Sequence, residues 1–339
     1  MSILTTINCT TAKEFLDLLT PWNTEYKLTD YVFRGHTDET FQLHPNIMRR
    51  KNNPDLLKIA KMVIKKGKYQ NAINSIGVTN IKDFHATIEM TILRRFYRSA
   101  NENGLYVPNS KLMSSQMEID GYINFSHLMK TFNVDKWLND DSIEIAALAQ
   151  HYGLPTRLID WSYNQYVASF FATNFMEKPA KNTKISVWML NYKKLSNLFA
   201  SPLSDVKIFS PHYQWNDNAK SQNGLFTFIQ SKHDIKENQL RNEYLDYFIK
   251  NKSISSDPKF DIIKTDQRTM DIALEDAISE YNSKKTNQID TNDILIKLTL
   301  PSSEALKVNN FLRNMRISEA TIFPGYSGVV ENLRSSIRF

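Results

Sequence analysis

The sequence predicts an α+β fold, with a small mixed, largely antiparallel split sheet and a helical insertion. Three observations predict it. Runs of β-branched, aromatic and other apolar residues at 31–33, 185–190, 224–229 and 294–300 read as strands. Residues 51–140 read as mostly helical. The strands and helices do not alternate in the regular order of a βαβ winding.

The elements follow in order. Thr11 caps a first helix over 12–22, with Glu14 as its capping-box partner and Pro21 to stop it. Tyr31-Val32-Phe33 is a strand that Arg34-Gly35 ends. Pro54 opens a helix to about Lys66, and Asp83 another along Phe84, Ile88, Ile92 and Phe96. Asp141 and Ser142 cap a helix over 143–152. Gly153 offers the left-handed residue that ends it, and Pro155 forbids continuation. Leu158-Ile159 is a very short strand into Asp160-Trp161. Asn164 caps the next helix, in which Val167, Phe170, Phe171 and Asn174 share a face. Ser302-Ser303 cap a helix from Glu304, and a last helix follows Ser327.

With 19 Phe and 15 Tyr in 339 residues, a sizeable core can be buried. Cys9 is the only cysteine, so neither an internal disulfide nor a cysteine-based zinc site can form. The histidines lack metal-ligand spacing, so no metal is expected. The N-terminus lacks the pattern of a secretory signal, and no stretch has the apolar length of a membrane helix. A cytoplasmic protein is expected. Net charge is +6, modest for a dedicated nucleic-acid binder. The basic run over 49–68, including Lys61, Lys65 and Lys66, reads as a solvated helix face or a phosphate-contacting one. Arg94, Arg95 and Arg98 line a second basic face.

Several polar residues sit where chemistry is feasible. Arg34 offers a planar fork to phosphate or carboxylate, and Gly35 allows a close backbone approach to a ligand. His36 adjoins them. His151 and Tyr152 end a helix. Arg157 and Asp160 either pair with each other or serve a site, and Asp160 is also placed to orient Arg34 or His36. Gln222 precedes the strand from Gly224, and Glu319 lies in the polar stretch before Tyr326. No GxSxG, GxxxxGK[ST] or GxGxxG pattern occurs, so a serine-hydrolase elbow and the usual nucleotide loops are excluded.

Five segments, FRGH at 33–36, EMTILRRFYRSA at 89–100, LAQHYGLPTRLIDWSYNQYVASFFA at 148–172, SQNGLFTF at 221–228 and ATIFPGYSGV at 320–329, resemble the FRG domain family in this order. The resemblance spans about 30–335 and implies one domain over 1–339, with 51–140 a helical insertion. A weaker similarity is to ADP-ribosyltransferases. Arg34-Gly35 resembles their basic residue and glycine on a first strand, and Phe170-Phe171-Ala172 resembles their aromatic element. That similarity implies an ADP-ribosyltransferase-like sheet and NAD as substrate. It also implies a charge-stabilising Glu or Gln, for which Gln222 and Glu319 are the candidates. Arg34 would hold phosphates, His36 or His151 a ribose hydroxyl, and Tyr152 or Phe171 would stack. The implied function is an ADP-ribosyltransferase or NAD glycohydrolase, acting as toxin or anti-phage effector. One alternative is a non-catalytic nucleic-acid or nucleotide binding module using Lys61, Lys65, Lys66, Arg94 and Arg95. Another is a hydrolase or nuclease using His151 and Asp160.

Overall fold

The computed structural model describes residues 2–49, 85–114, 136–174, 183–202, 204–232 and 266–338. The chain divides into two compact units, one of residues 1–43, 159–228 and 268–339, the other of 44–158 and 229–267. Strands and helices are numbered along the chain.

The first unit is built on a mixed, largely antiparallel open sheet of seven strands. These are β1 (Leu4–Asn8), β2 (Tyr31–His36), β4 (Ile159–Ser162), β5 (Lys184–Asn191), β6 (Val206–Phe209), β7 (Gly224–Ile229) and β9 (Leu295–Pro301). They lie in the order β1-β9-β5-β2-β4-β7-β6. β1 runs parallel to β9, while β9–β5, β5–β2, β2–β4 and β4–β7 are antiparallel. Pairing is long on one side of β2 and short on the other. Six register pairs join it to β5, and one, Phe33 with Ser162, joins it to β4.

The unit's helices are α1 (Ala12–Leu18), α5 (Gln165–Thr173), α6 (Ser196–Ala200), α7 (Asp217–Ser221), α8 (Met270–Lys284), α9 (Ala305–Asn314), α10 (Glu319–Ile322) and α11 (Tyr326–Arg338). One sheet face meets α1, α5 and α9. There Phe15, Phe33, Phe170, Val187, Leu298 and Leu312 share a core. Alternation puts Tyr31, Phe33 and Gly35 of β2 on that face and sends Val32, Arg34 and His36 to the other.

In the second unit, β3 (Lys136–Trp137) pairs antiparallel with β8 (Ser231–Lys232). Beside them are α2 (His85–Glu102), α3 (Lys111–Ser114) and α4 (Ile143–His151). Ile88, Leu93, Ile145 and Leu158 are buried in it. The helix expected from Pro54, with Lys61, Lys65 and Lys66, lies outside the described residues.

Local chemistry corrects four sequence expectations. Arg34-Gly35 does not end the strand, because β2 stays in register with β5 through His36 and Ser186. Thr11 caps α1 by accepting from Glu14 N, but the Glu14 carboxylate takes its main hydrogen bond from Thr10 N at 2.8 Å, one residue before the cap. Asp141 leaves α4 uncapped. It accepts instead from Ser110 Oγ and from the Lys111 and Leu112 amides, capping α3. Ser302 begins a 3-10 turn, and α9 starts only at Ala305. Asn164 does cap α5, accepting from Tyr166 N at 2.9 Å.

Candidate functional site

The Phe-Arg-Gly triplet of β2 divides its side chains between the two faces of the sheet. Phe33 is buried in the core. Gly35 presses against α5 so closely that a Cβ there would meet the Ala168 carbonyl oxygen at 1.9 Å and Ala172 N at 2.6 Å. The glycine is therefore required by helix packing. Arg34 points to the opposite face and is tied down there. Its Nε donates to His36 Nε2 at 2.9 Å, and its Nη1 donates to the Asp160 carbonyl oxygen at 2.6 Å and to Asp160 Oδ2 at 3.3 Å. Nη2 has no partner among the described residues. The Arg34 side chain is 12% exposed and that of Asp160 47%, so the carboxylate opens to solvent while the guanidinium is mostly enclosed.

Sheet register extends this polar patch. Trp188 stands opposite Arg34 on β5, Ser186 opposite His36, and Lys297 of β9 opposite Trp188. Lys297 Nζ lies 4.9 Å from the Trp188 ring centroid, a cation–π contact, and donates to Glu39 O at 2.6 Å. Burial lowers the Lys297 pKa, against the nearby Glu39, Asp271 and Asp38 carboxylates, which favour its charge. The His36 ring stands edge-on to Phe41 and Trp188 at centroid distances of 6.0 and 6.4 Å. Ser186 Oγ and Trp188 Nε1 are enclosed and make no hydrogen bond among the described residues. Native interiors rarely leave such atoms unsatisfied, so they mark a place for water or a polar ligand.

Within the same unit, the candidates Phe171, Gln222 and Glu319 make their contacts elsewhere. Phe171 packs among aromatics on the α5 side, 5.5 Å from Phe170 and 6.0 Å from Phe323. Gln222 Nε2 donates weakly to Ile322 O at 3.4 Å. Glu319 is buried and pairs with Arg313 of α9 at 3.2 Å, in the helical layer on the α5 side. Phe171 and Glu319 thus lie across the sheet from Arg34. His151, Tyr152 and Arg157 belong to the second unit.

The loop after α4 is ordered by its own sequence. Gly153 adopts φ 91°. Gly153 N donates to Gln150 O at 2.9 Å, and Leu154 N to Ala149 O at 3.0 Å. The Gln150 amide then bonds Leu158 O at 3.2 Å and the Thr156 hydroxyl. This sets Arg157 inward. It pairs not with Asp160 but with Glu89 of α2, which accepts from Arg157 N and Nε, both at 2.6 Å, and from Trp137 Nε1 at 2.8 Å. The pair is fully buried, and Arg157 Nη1 adds Ser231 Oγ at 3.0 Å.

Arg94 is half-buried, and burial beside Arg98 lowers its pKa. Arg98 pairs with Glu102, and Arg95 is exposed. Among the described residues no three His, Cys, Asp or Glu gather as a metal site, and no helix is long and apolar enough to cross a membrane.

The sequence reading passed over Ser186, Trp188, Lys297, Glu89 and Trp137. Two of them left a signal. Ser186 and Lys297 are polar interruptions in otherwise apolar buried strands, and such positions are functional or structural by default.

The chain carries an FRG domain: the model of that family matches residues 29–181. The match includes β2, α2, the 148–162 segment and α5. It excludes the SQNGLFTF and ATIFPGYSGV segments. No curated protein matches the chain, and no solved structure does.

Proposed function

We propose that the chain is an NAD-using, ADP-ribosyltransferase-like enzyme or NAD glycohydrolase, acting as a toxin or anti-phage effector, with its site on the Arg34 face of the sheet. The observation that carries the reading is the half-exposed Asp160 carboxylate, fixed by Arg34 on the face that also carries a half-buried lysine and an enclosed tryptophan N–H. Cleaving a nicotinamide–ribose bond needs anionic phosphates held and positive charge on the ribose met by a carboxylate. Arg34 Nη2 and Lys297 supply cations for the phosphates. Trp188 N–H and the Ser186 hydroxyl supply polar contacts in a dry wall. Asp160 faces the developing charge as the C1′–N bond breaks. Nicotinamide leaves with the bonding pair, and water or an acceptor hydroxyl adds at C1′ and loses its proton. Glu319, buried on the opposite side of the sheet, and Gln222, engaged with a main-chain carbonyl, are less suited to that role than the half-exposed Asp160.

The test is nicotinamide release from NAD by the purified protein, with Asp160→Asn beside it. The reading predicts release by the wild type and a loss of at least about a hundredfold in the variant, of the order seen when one charge-stabilising group is removed. Failure of the wild-type protein either to bind NAD in calorimetry or to release nicotinamide would overturn it.

A further inference from the structure

Helix α11 is docked the wrong way round for a surface helix. Its small and polar face points inward. Gly328 sits so close to the turn after α10 that a Cβ would meet Phe323 O at 1.8 Å. Arg313 reaches Asn332 Oδ1 at 3.1 Å and Ser335 Oγ at 2.8 Å. Its apolar face points outward. Tyr326 is 93% exposed, Leu333 59% and Ile337 85%, with Val329 and Val330 between them. The spacing i, i+4, i+7, i+11 makes one continuous stripe, where a monomer normally shows scattered apolar residues.

We infer that this stripe is a self-association surface, on which α11 of a second copy of the chain packs antiparallel. Three features favour that occupant. In the antiparallel register Val330 faces the partner's Leu333 and Tyr326 faces the partner's Ile337, so the stripe is complementary to itself, as a two-fold interface requires. Arg334, at the edge of the stripe, is neutralised within its own helix by Glu331 at 3.5 Å, so it opposes no like charge on the second copy. Opposed helix dipoles complete the electrostatic match. A stripe of about 18 Å is short against the roughly 800 Å² per partner of a standard interface, so the dimer is reversible and dilutes apart.

Sedimentation equilibrium of the full chain, run up to about 1 mM, tests this. The expected result is a concentration-dependent dimer that Leu333→Asp shifts at least about tenfold toward monomer, with its thermal midpoint unchanged. Single-cysteine variants fix the register, because the native Cys9 is buried. Val330→Cys should cross-link readily with a short bismaleimide. Tyr326→Cys should not, because antiparallel packing separates the two copies by about 16 Å along the axis. A monomer at every concentration overturns the inference, and so does a dimer indifferent to Leu333→Asp. A monomer that binds anionic vesicles through Leu333 overturns it in favour of a membrane surface.

Discussion

Arg34 Nη1 donates to the main-chain carbonyl oxygen of Asp160 at 2.6 Å, closing the sheet where β2 and β4 share a single register pair. One side chain therefore does the work of missing ladder hydrogen bonds, while also presenting the Asp160 carboxylate at the surface. Stability and chemistry meet in the same contact, and they separate by which end of it is altered.

Asp160→Asn keeps the carbonyl acceptor and the side-chain shape. Its unfolding free energy should change by less than about 0.5 kcal/mol, as for most half-exposed surface positions. Arg34→Ala removes the donor, leaves a main-chain carbonyl short of a partner, and should cost about 1.5–3 kcal/mol. Arg34→Lys should recover only part, since an ammonium cannot reproduce a fork reaching His36 and Asp160 together. Urea unfolding of the three variants checks the ranking. An Arg34→Ala protein as stable as wild type would show that the seam does not depend on this side chain.

Gly35→Ala should be more damaging than its size suggests. The new methyl would sit 1.9 Å from Ala168 O, a backbone atom of a hydrogen-bonded helix that has no rotamer to move to. Overpacking of this sort costs about 1–3 kcal/mol or more. A Tm decrease of several degrees is expected in calorimetry, and an unshifted Tm would contradict the close approach of β2 and α5.

The Glu89–Arg157 pair should behave as a unit. Either Glu89→Leu or Arg157→Met alone strands a buried charge and should cost about 3–5 kcal/mol. The double substitution should be far less destabilising than the sum, because burying two charges is itself costly. A double-mutant cycle by denaturant unfolding measures the coupling, and additive losses would refute it.

Alkaline pH should unfold the protein earlier than its core size suggests. Burial pushes the Cys9 thiol up to about 12 and, reinforced by a hydrogen bond to Glu25, pushes the Tyr26 hydroxyl up to about 12. Burial also raises Tyr31, Tyr97, Tyr166 and Tyr213. In each case the folded pKa lies above the unfolded one. The associated stability is fully present below the unfolded value, about 8.5 for a thiol and 10 for a phenol, and is lost as pH rises toward 12. The depressed Lys297 works the other way, but as a single group against several. Phenolate absorbance should therefore lag behind free tyrosine and then rise abruptly with unfolding. A smooth titration of all tyrosines near pH 10, with the fold intact, would be inconsistent with their burial.

The sequence by itself determined the elements whose periodicity and caps are local. The 31–33, 185–190, 224–229 and 294–300 strands, the Asn164-capped helix and the left-handed Gly153 follow from side-chain alternation and backbone sterics within a few residues. It also marked Arg34 and Asp160 as one neighbourhood. Only the tertiary structure decided the partners. Arg157 turns to Glu89, 68 residues away, and not to Asp160 three residues on. Asp141 caps a neighbouring helix, and Trp188 and Lys297 meet by sheet register. Glu319 and Arg34 fall on opposite sides of the sheet because strand alternation sends Phe33 and Arg34 to opposite faces. Spacing along a chain fixes direction and face, but partners across a sheet are set by register and strand order, which no local pattern encodes.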